Sequence, residues 1–431
     1  MRFRALRRVG IAAVLLVVSS GGLVGQEGAR RVTLDQALRM AEMNNPNLEQ
    51  SASNVDMAGY QELTAWGQFL PDLNLRYQFS DASSGRLDPT GQGISKTSYS
   101  AQLSASVDLF RGFRRFTDLK GAKLGVKASE ARFREAEYST SETVKIMYYN
   151  AVANRELVRV EQDRVNRQED QLAFAEQQLE LGRATRSDVL RSQVDLNNAR
   201  VALLNAENGA RNSLYALAEA VGVTEPLEPV ETADLVAEPL PYDRQELLSM
   251  ALSGAPSLVS ARSQAAADDQ AVTSAKSAYL PTLTFRGGWA WSNIEYPPQN
   301  RSWSMALSGQ LPLFNGFTRE SQLYTAQARA DVSHSQERAT ELRLRKDLDQ
   351  AWGTIQAAVA SIGLAEQTVE LSDEDLRVSQ ERYRLGLATI LDLQAAQITL
   401  LQAEVDLIRR RFDYQLGLAR VEALLGTNLR N

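Results

Sequence analysis

Two long stretches without proline are the sequence feature that most limits how this chain can fold. Residues 113–181 and residues 317–385 each run for 69 positions without one proline. Because an α-helix rises 1.5 Å per residue, each stretch can form a helix about 100 Å long. A helix of this length does not fit inside a compact globular domain, so the sequence predicts an elongated protein.

The two stretches belong to a sequence that is written twice. Leu34–Ala41 recurs 210 residues later as Arg244–Ala251, and Leu109–Phe113 recurs 204 residues later as Leu313–Phe317. Each half therefore predicts the same order of elements, namely short helix, helix, strand, strand, very long helix, tight turn and returning helix. The helical hairpins are predicted at 113–220 and 317–425.

The repeat and the N-terminus predict the domain boundaries. Four arginines precede the short apolar run Ile11–Val18, so residues 1–25 are interpreted as a secretory signal. The first half is then 26–221 and the second half 242–431. They are separated by a linker at 222–241 that contains four prolines. No later segment has the roughly 20 apolar residues of a membrane-spanning helix, so membrane insertion would have to use strands.

Composition argues against an enzyme. The chain has no cysteine and one histidine. This composition excludes thiol nucleophiles, an acyl-cysteine anchor and Cys/His metal sites. An exported hydrolase is therefore a poor alternative. His334 has no second histidine near it, and the acidic run Asp373–Asp375 lacks the spacing of a calcium loop. No metal or cofactor is expected. The formal charge of −6 argues against nucleic acid as a partner.

Four segments alternate strictly between apolar and polar residues, the pattern of strands with two unlike faces. They are residues 72–80, 99–109, 282–291 and 303–313. Each has about ten residues, the length of a tilted strand that crosses a membrane. Aromatic side chains near their ends fit the membrane interface and would contact outer-membrane lipid. These aromatic residues are Tyr77, Phe79, Tyr99, Trp289, Trp291 and Trp303.

A soluble antiparallel sheet with one face exposed to water is the commoner explanation of such a pattern. Here the predicted helices pack against one another, so no element remains to cover the apolar faces of the strands. Four strands cannot enclose a lumen, but three chains would supply twelve. The predicted fold class is thus mainly α with a small β part, a homotrimeric 12-strand transmembrane β-barrel continued by a 12-helix periplasmic α-barrel. Residues 81–97 and 293–300 would be the external loops.

Apolar residues with 4-3 spacing predict a coiled-coil seam along the second long helix, and the pattern continues in the returning helices. The sets are Leu348, Trp352, Ile355, Val359, Ile362, Val369, Leu376 and Tyr383; then Leu391, Ile398, Leu401, Val405, Ile408 and Phe412; and in the first half Val194, Val201 and Leu204. A periplasmic coiled-coil structural protein without a channel would explain these helices but not the strands. An autonomous porin is disfavoured, because porins consist mostly of strands.

Both long stretches end in related turns. Gly182 and Gly386 suit the left-handed conformation that ends a helix. Thr185 with Asp188, and Thr389 with Asp392, have the spacing of a capping box that starts the next helix.

At these turns the sequence resembles the TolC-like outer membrane efflux protein family, and the likeness covers essentially the whole mature chain. The resemblance implies a trimer in the outer membrane that extends into the periplasm. Its helix tips would dock on a periplasmic adaptor protein, which links it indirectly to an inner-membrane pump. The tip residues implied by the resemblance are Gly182, Arg183, Ala184, Thr185, Ser187, Asp188, Gly386, Leu387, Ala388 and Thr389.

The resemblance also implies a periplasmic entrance formed by the second half. Asp392 matches the first of the family's entrance aspartates, so it is either a plain helix cap or part of a constricting ring of carboxylates. Ala395 and Ala388 depart from the family, which has a second acidic residue at the former position and, in some members, an arginine at the latter. Arg183 and Arg186 have no basic counterparts in the second half, so they either mark one of two unequal adaptor sites or are merely solvated.

Overall fold

A computed structural model describes residues 29–87, 94–230 and 240–429 of the chain. The predicted signal 1–25 and residues 231–239 of the predicted linker lie outside the described residues. The chain is mainly α-helical with a small β part, which confirms the predicted fold class at this level.

Elements follow one another in the same order in the two halves. The first half contains β1 (Arg30–Val32), α1 (Leu34–Asn44), α2 (Pro46–Gly67), β2 (Asp72–Leu87), β3 (Ile94–Arg111), α3 (Arg114–Glu180) and α4 (Arg186–Val221), and β4 (Leu227–Pro229) follows in the linker. The second contains α5 (Arg244–Gly254), α6 (Pro256–Lys276), a 3₁₀ turn (Ser277–Tyr279), β5 (Thr282–Asn293), β6 (Asn300–Gln310), α7 (Thr318–Arg384) and α8 (Ile390–Leu425). α3 and α7 have 67 residues each, so both are about 100 Å long.

The four long strands form one antiparallel sheet in the order β2-β3-β5-β6. One row of paired residues runs across all four strands. Leu103 lies opposite both Leu75 and Trp289, and Trp289 lies opposite Trp303. A separate parallel pair joins β1, at the start of the first half, to β4, which lies within the segment predicted to be only a linker. Val32 and Leu227 of this pair are buried, so apolar packing anchors the linker to the first half.

The strand boundaries differ from the predicted ones at both ends of the sheet. β2 and β3 continue into the predicted loop 81–97, and their register shifts between Asp81 and Arg86. Backbone hydrogen bonds sustain this extension where side-chain alternation has stopped, which is why the pattern missed it. β6 ends at Gln310 rather than Leu313, because Pro312 has no N–H to donate to a ladder.

The helices are organised around the two long ones. α2 and α4 pack along α3, and α6 and α8 pack along α7. α6 and α8 also contact α3, which joins the halves. Within the described residues, no helix is both long enough and apolar enough to cross a membrane.

The predicted coiled-coil residues are buried or partly buried within the chain in α7, whereas those at the start of α8 and those of α4 are exposed. Leu348, Ile355, Ile362 and Leu376 of α7 are buried. In contrast, Leu391 and Ile398 of α8 are exposed, as are Val194, Val201 and Leu204 of α4; the buried residues are instead Leu393, Ala396 and Leu400, and Leu196, Ala199 and Ala206. Both helices carry two apolar faces, and the face with more alanine allows the closer approach to the long helix.

Candidate functional site

The four-stranded sheet leaves its apolar face uncovered. Directly opposed residues point to the same side of a sheet, and so do residues two apart along a strand. Leu73, Leu75, Met305 and Leu307 therefore share a face, and 62–75% of each is exposed. Large apolar side chains in a contiguous exposed patch mark a surface that another apolar phase or partner covers.

All six predicted interface aromatics lie on this face. Phe79 and Tyr99 are cross-strand partners with ring centroids 5.0 Å apart, and Trp289 is paired with Trp303. Tyr77 and Trp291 both lie opposite Ala101. The sheet thus gathers six residues from four separate segments into one aromatic zone.

The other face of the sheet is polar and small. One row across it consists of Asn74, Ser104, Gly288 and Ser304, and Thr284 donates a hydrogen bond of 2.7 Å to Asp108. This face has the hydroxyl and carboxylate groups that tolerate contact with water. The sheet is therefore amphipathic across its thickness.

Arginines fix the transition from each strand pair to its long helix. Arg115 donates to the carbonyls of Gln68 and Leu109, and its guanidinium lies over the Phe69 ring at 5.0 Å. Arg319 donates to the carbonyl of Pro312 and lies over Tyr279 at 4.1 Å. Cation–π contact combined with backbone bonds holds the strands at a fixed angle to the helix. Sequence reasoning missed both arginines, although their shared 204-residue spacing was a usable signal.

The two hairpin turns at the opposite end share one geometry. Gly182 and Gly386 have φ of +68° and +74°, and their amides donate to Leu179 and Tyr383. A β-carbon built on either glycine would meet nothing within 4 Å. The left-handed backbone conformation, and not steric crowding, therefore favours glycine in these turns. The space around each glycine is free of other atoms of the chain.

Most predicted tip residues are exposed, and the two tips differ in chemistry. Gly182, Arg183, Thr185 and Ser187 are exposed in the first tip, as are Gly386, Leu387 and Thr389 in the second, whereas Ala184, Asp188 and Ala388 are half-buried. Arg183 and Arg186 correspond in position to Leu387 and Ile390. The first tip therefore exposes two arginines where the second exposes Leu387 and buries Ile390.

Asp188 and Asp392 cap the helices that begin at the tips. The Thr389 amide and hydroxyl both donate to Asp392 at 2.8 Å, and Thr185 bonds Asp188 in the same way. These two hydrogen bonds lower the pKa of each aspartate below its ordinary value of 3.8. The bond from the threonine backbone amide has the larger effect, and the bond from the threonine hydroxyl has the smaller one. Both carboxylates consequently stay ionised in any mildly acidic medium. Asp392 and Ala395 are exposed on the same face of α8.

Polar contacts join the two hairpins close to the tips. Gln168 donates to Gln397 at 2.8 Å, and Gln394 donates to Asp195. The Phe174 and Tyr383 rings lie 5.8 Å apart. These residues are about 200 positions apart in the chain, and no sequence pattern pointed to them.

His334 has two carboxylates beside it, which the sequence analysis did not identify. Its Nε2 lies 3.2 Å from Asp269 on α6, and its Nδ1 lies 3.6 Å from Glu337. Asp269 is 65 residues away in sequence, which is why the pair was missed. Within the described ranges, no group of three metal-ligating side chains is present.

We expect the imidazole of His334 to titrate above its ordinary pKa of 6.5, because the Asp269 hydrogen bond and charge favour the protonated form. This contact stabilises the fold fully below pH 6.5 and is lost as the pH rises through the raised value. Asp269→Asn should lower the pKa clearly, and Glu337→Gln should lower it less. Because His334 is the one histidine of the sequence, its NMR titration is unambiguous. An unchanged pKa in Asp269→Asn would contradict the pairing.

Comparison with known proteins identifies the family. The family model described as outer membrane efflux protein matches residues 37–223 and 247–427. The chain is 25% identical over 424 residues to the outer membrane protein TolC of Escherichia coli, covering 91% of this chain and 82% of that protein. It is 26% identical over 405 residues to the pyoverdine export outer membrane protein OpmQ of Pseudomonas aeruginosa, covering 91% and 83%.

Solved structures agree on the fold. A membrane protein from Pseudomonas aeruginosa superposes with a TM-score of 0.82 at 20% identity, covering 94% of this chain and 92% of that one. The open state of the MtrE outer membrane channel of Neisseria gonorrhoeae gives 0.78 at 21% identity, covering 92% and 89%. The sequence resemblance is thereby confirmed, with its outer-membrane localisation. The chain belongs to the outer membrane efflux protein family, as a channel of the outer membrane.

Proposed function

We propose that three copies of this chain form one closed duct, in which a 12-strand barrel in the outer membrane continues as a 12-helix tunnel in the periplasm. The duct conducts substrates outward from a periplasmic adaptor and an inner-membrane pump. Its role is passage and sealing rather than a chemical reaction.

The uncovered apolar face of the sheet is the observation that carries this proposal. A sheet that faces water on both sides would not expose Leu73, Leu75, Met305 and Leu307 together with four of the six aromatics. Hydrocarbon covers such a face, and a closed barrel leaves no backbone group unpaired in the membrane. The polar opposite face then lines the bore. One chain supplies four strands, so three copies reach an even-numbered barrel of the size known for such proteins.

The helices support a continuous tunnel. Each half supplies one 67-residue helix and a column of shorter helices packed along it. Two halves in three copies give twelve columns, the same number as the strands. The arginines at the strand-to-helix turns keep the two parts of the bore aligned.

We place the adaptor contact at the tips. Their open glycine turns allow close approach of another helix, and the unlike chemistry of Arg183 and Leu387 provides two distinct docking positions around the ring. Two relatives from Pseudomonas aeruginosa, a pyoverdine export protein and an alkaline protease secretion protein, support outward transport as the function. Those cargoes belong to the relatives.

The assembly is tested by purifying the mature protein in detergent, measuring its mass by light scattering and recording conductance in planar bilayers. A three-chain particle that forms ion-conducting channels supports the proposal. A rod that stays soluble without detergent and forms no channel would instead indicate a periplasmic coiled-coil structural protein.

We expect Asp392→Ala to raise single-channel conductance or weaken cation preference, because three Asp392 carboxylates would ring the periplasmic entrance. The lowered pKa keeps the wild-type ring charged, so its cation preference should persist from pH 8 to pH 5.

Asp188→Ala is the matched control for this prediction. It removes the same capping hydrogen bonds from the equivalent helix of the first half, so it reproduces any effect of a weakened helix start. Equal changes in conductance or cation preference in both variants would show that Asp392 acts only as a helix cap. An Asp392→Ala channel with unchanged conductance and cation preference would reject the entrance role.

A further inference from the structure

We propose that each chain binds anionic phospholipid headgroups at the periplasmic surface of the outer membrane, through a basic stripe on the first long helix. The basic stripe consists of Lys120, Lys123 and Lys127 of α3. This inference rests on the proposed function, because it requires the sheet to lie in the membrane. It adds a ligand, the lipid phosphate group, and one binding surface for that ligand on each chain.

The apolar face of the sheet ends in an exposed aromatic belt where α3 begins. Phe110 lies opposite Leu283 on that face, and the ring centroids of Phe110 and Phe113 are 5.2 Å apart. Phe116, in the first turn of α3, packs on Phe69 with the same centroid distance of 5.2 Å. Phe113 and Phe116 are 62% and 61% exposed, so the apolar surface continues past the end of the strands. Aromatic side chains at such a position mark the level at which hydrocarbon gives way to headgroups.

The three lysines lie directly beyond this belt, on the same face of α3 as Phe116. Positions 116, 120, 123 and 127 are separated by four, three and four residues, which keeps their side chains on one face of a helix. At 1.5 Å per residue, the lysines lie about 6, 10 and 16 Å beyond Phe116. A helix tilts its Cα–Cβ bonds toward its N-terminus, and α3 runs away from the sheet, so these side chains lean back toward the belt. Their apolar stems can lie along the helix while the ammonium groups reach the headgroups.

The basic stripe lies on the open side of α3. The same spacing continues along α3 to Val144 and Tyr148, and both of these residues are buried against Ala37 and Ala41 of α1. α1 therefore covers this face farther from the sheet and leaves it open near the belt. All three lysines are exposed there, and none of them forms an ion pair with another described residue. Their charges are available to a ligand from outside the chain.

The positive charge is confined to one depth and to one half of the chain. Glu130, the next residue on this face, is acidic, so the basic stripe ends before it. In the second half the belt recurs, since the rings of Phe314 and Phe317 are 5.5 Å apart and these residues are 74% and 69% exposed. The lysines do not recur. Their equivalents in α7, 204 residues later, are Tyr324, Gln327 and Asp331.

An anionic phospholipid matches both the belt and the basic stripe. Its acyl chains contact the belt, and its phosphate meets the ammonium groups beyond it. The headgroup layer is roughly 5–8 Å deep, and its negative potential decays over about 8 Å more. Lys120 therefore lies inside the layer, Lys123 within its potential and Lys127 near the limit. A cell-wall polymer with carboxylate groups would match the charge, but it has no apolar part to cover the belt.

Native mass spectrometry of the mature protein in detergent micelles tests this proposal, because it counts bound lipids directly. Dilute phosphatidylglycerol or phosphatidylcholine is added as the only lipid. The wild type is expected to bind phosphatidylglycerol more tightly by about tenfold or more, since each lysine near the headgroups contributes about fivefold. The triple variant Lys120→Gln, Lys123→Gln, Lys127→Gln should lose most of this preference. Among the single variants, Lys120→Gln should lose the most and Lys127→Gln the least.

Two further triple variants serve as controls. Arg191→Gln, Arg211→Gln, Arg343→Gln removes the same charge from exposed positions away from the belt, and it should keep the preference. Tyr324→Lys, Gln327→Lys, Asp331→Lys adds a basic stripe beside the second belt. It should raise the number of tightly bound phosphatidylglycerol molecules per chain.

Equal affinity of the wild type for both lipids, in a particle that conducts ions, would overturn the lipid site and leave the proposed function intact. Equal losses in the lysine and arginine triple variants would also overturn it, because net charge alone would then explain the preference. Displacement of the lipid by an equal concentration of inorganic phosphate would overturn the lipid as the occupant.

Sedimentation with peptidoglycan that depends on the three lysines, without any lipid preference, would assign the basic stripe to the cell wall and overturn the lipid site. A wild-type protein that forms no channel and takes up neither lipid would overturn the membrane position of the sheet, on which both proposals rest.

Discussion

Glu422→Ala is expected to lower the free energy of unfolding by about 3–5 kcal/mol, because it leaves the Lys145 ammonium buried without its counter-charge. Lys145 on α3 donates to Glu422 on α8, and their side chains are 15% and 6% exposed. The second carboxylate oxygen of Glu422 accepts the Leu429 amide at 3.0 Å. The pair thus joins the first half, the last helix and the C-terminal turn.

The double variant Lys145→Met, Glu422→Leu is the first control, since replacing both charges by apolar groups of similar size removes the unpaired ion. It should recover most of the lost stability. Arg377→Ala, which breaks an ion pair whose partners are 65% and 56% exposed, should cost less than about 1 kcal/mol. Urea unfolding followed by circular dichroism, at one protein concentration, measures all three. Equal losses in Glu422→Ala and Arg377→Ala would show that burial is not what makes the pair matter.

The sequence predicted the elements because their signals are local. Absence of proline over residues 113–181, strict alternation at 72–80 and the Thr185–Asp188 spacing are each contained within one segment. Helix length, strand identity and cap geometry follow from such signals. The aromatic face followed as well, since alternation fixes which residues share a side of the sheet.

Contacts between distant segments could not be predicted in the same way. Asp269 meets His334, and Gln168 meets Gln397, across 65 and 229 residues, and hydrophobic period does not specify such polar pairs. The 4-3 pattern of α4 lies on its exposed face for a different reason. A single chain carries apolar faces for two sets of partners, and the sequence pattern does not distinguish a contact inside the chain from one with another copy.

The same duplication explains why the halves are alike in shape and unlike in detail. Both tips need a left-handed glycine and a capping aspartate, so these residues recur. Arg183 and Leu387 occupy equivalent positions whose side chains are exposed, and there the halves differ. In the proposed ring of three chains, six tips would alternate between one that exposes Arg183 and one that exposes Leu387, which would suit an adaptor that binds two unequal positions.

Gly222→Ala is expected to destabilise the protein by roughly 2–5 kcal/mol, through a strained dihedral and a steric clash together. Gly222 ends α4 with φ of +86°, and a β-carbon there would lie 2.5 Å from the carbonyl oxygen and 2.8 Å from the carbonyl carbon of Asn44. Those atoms belong to the joint between α1 and α2, which Asn45 ties to α4 by donating to the Ala220 carbonyl at 2.8 Å. Backbone cannot yield as a flexible side chain would.

Gly182→Ala separates the two causes of this loss. Its φ of +68° carries the same dihedral strain, but open space surrounds the new methyl group, so it should cost only about 1–2 kcal/mol. The difference between the two variants in urea midpoint, at equal protein concentration and unchanged slope, reports the clash at the joint. If both lost the same stability, the close approach of α4 to the joint would contribute nothing, and positive φ alone would account for Gly222. A larger loss in Gly222→Ala identifies this joint as a rigid point from which the first hairpin extends.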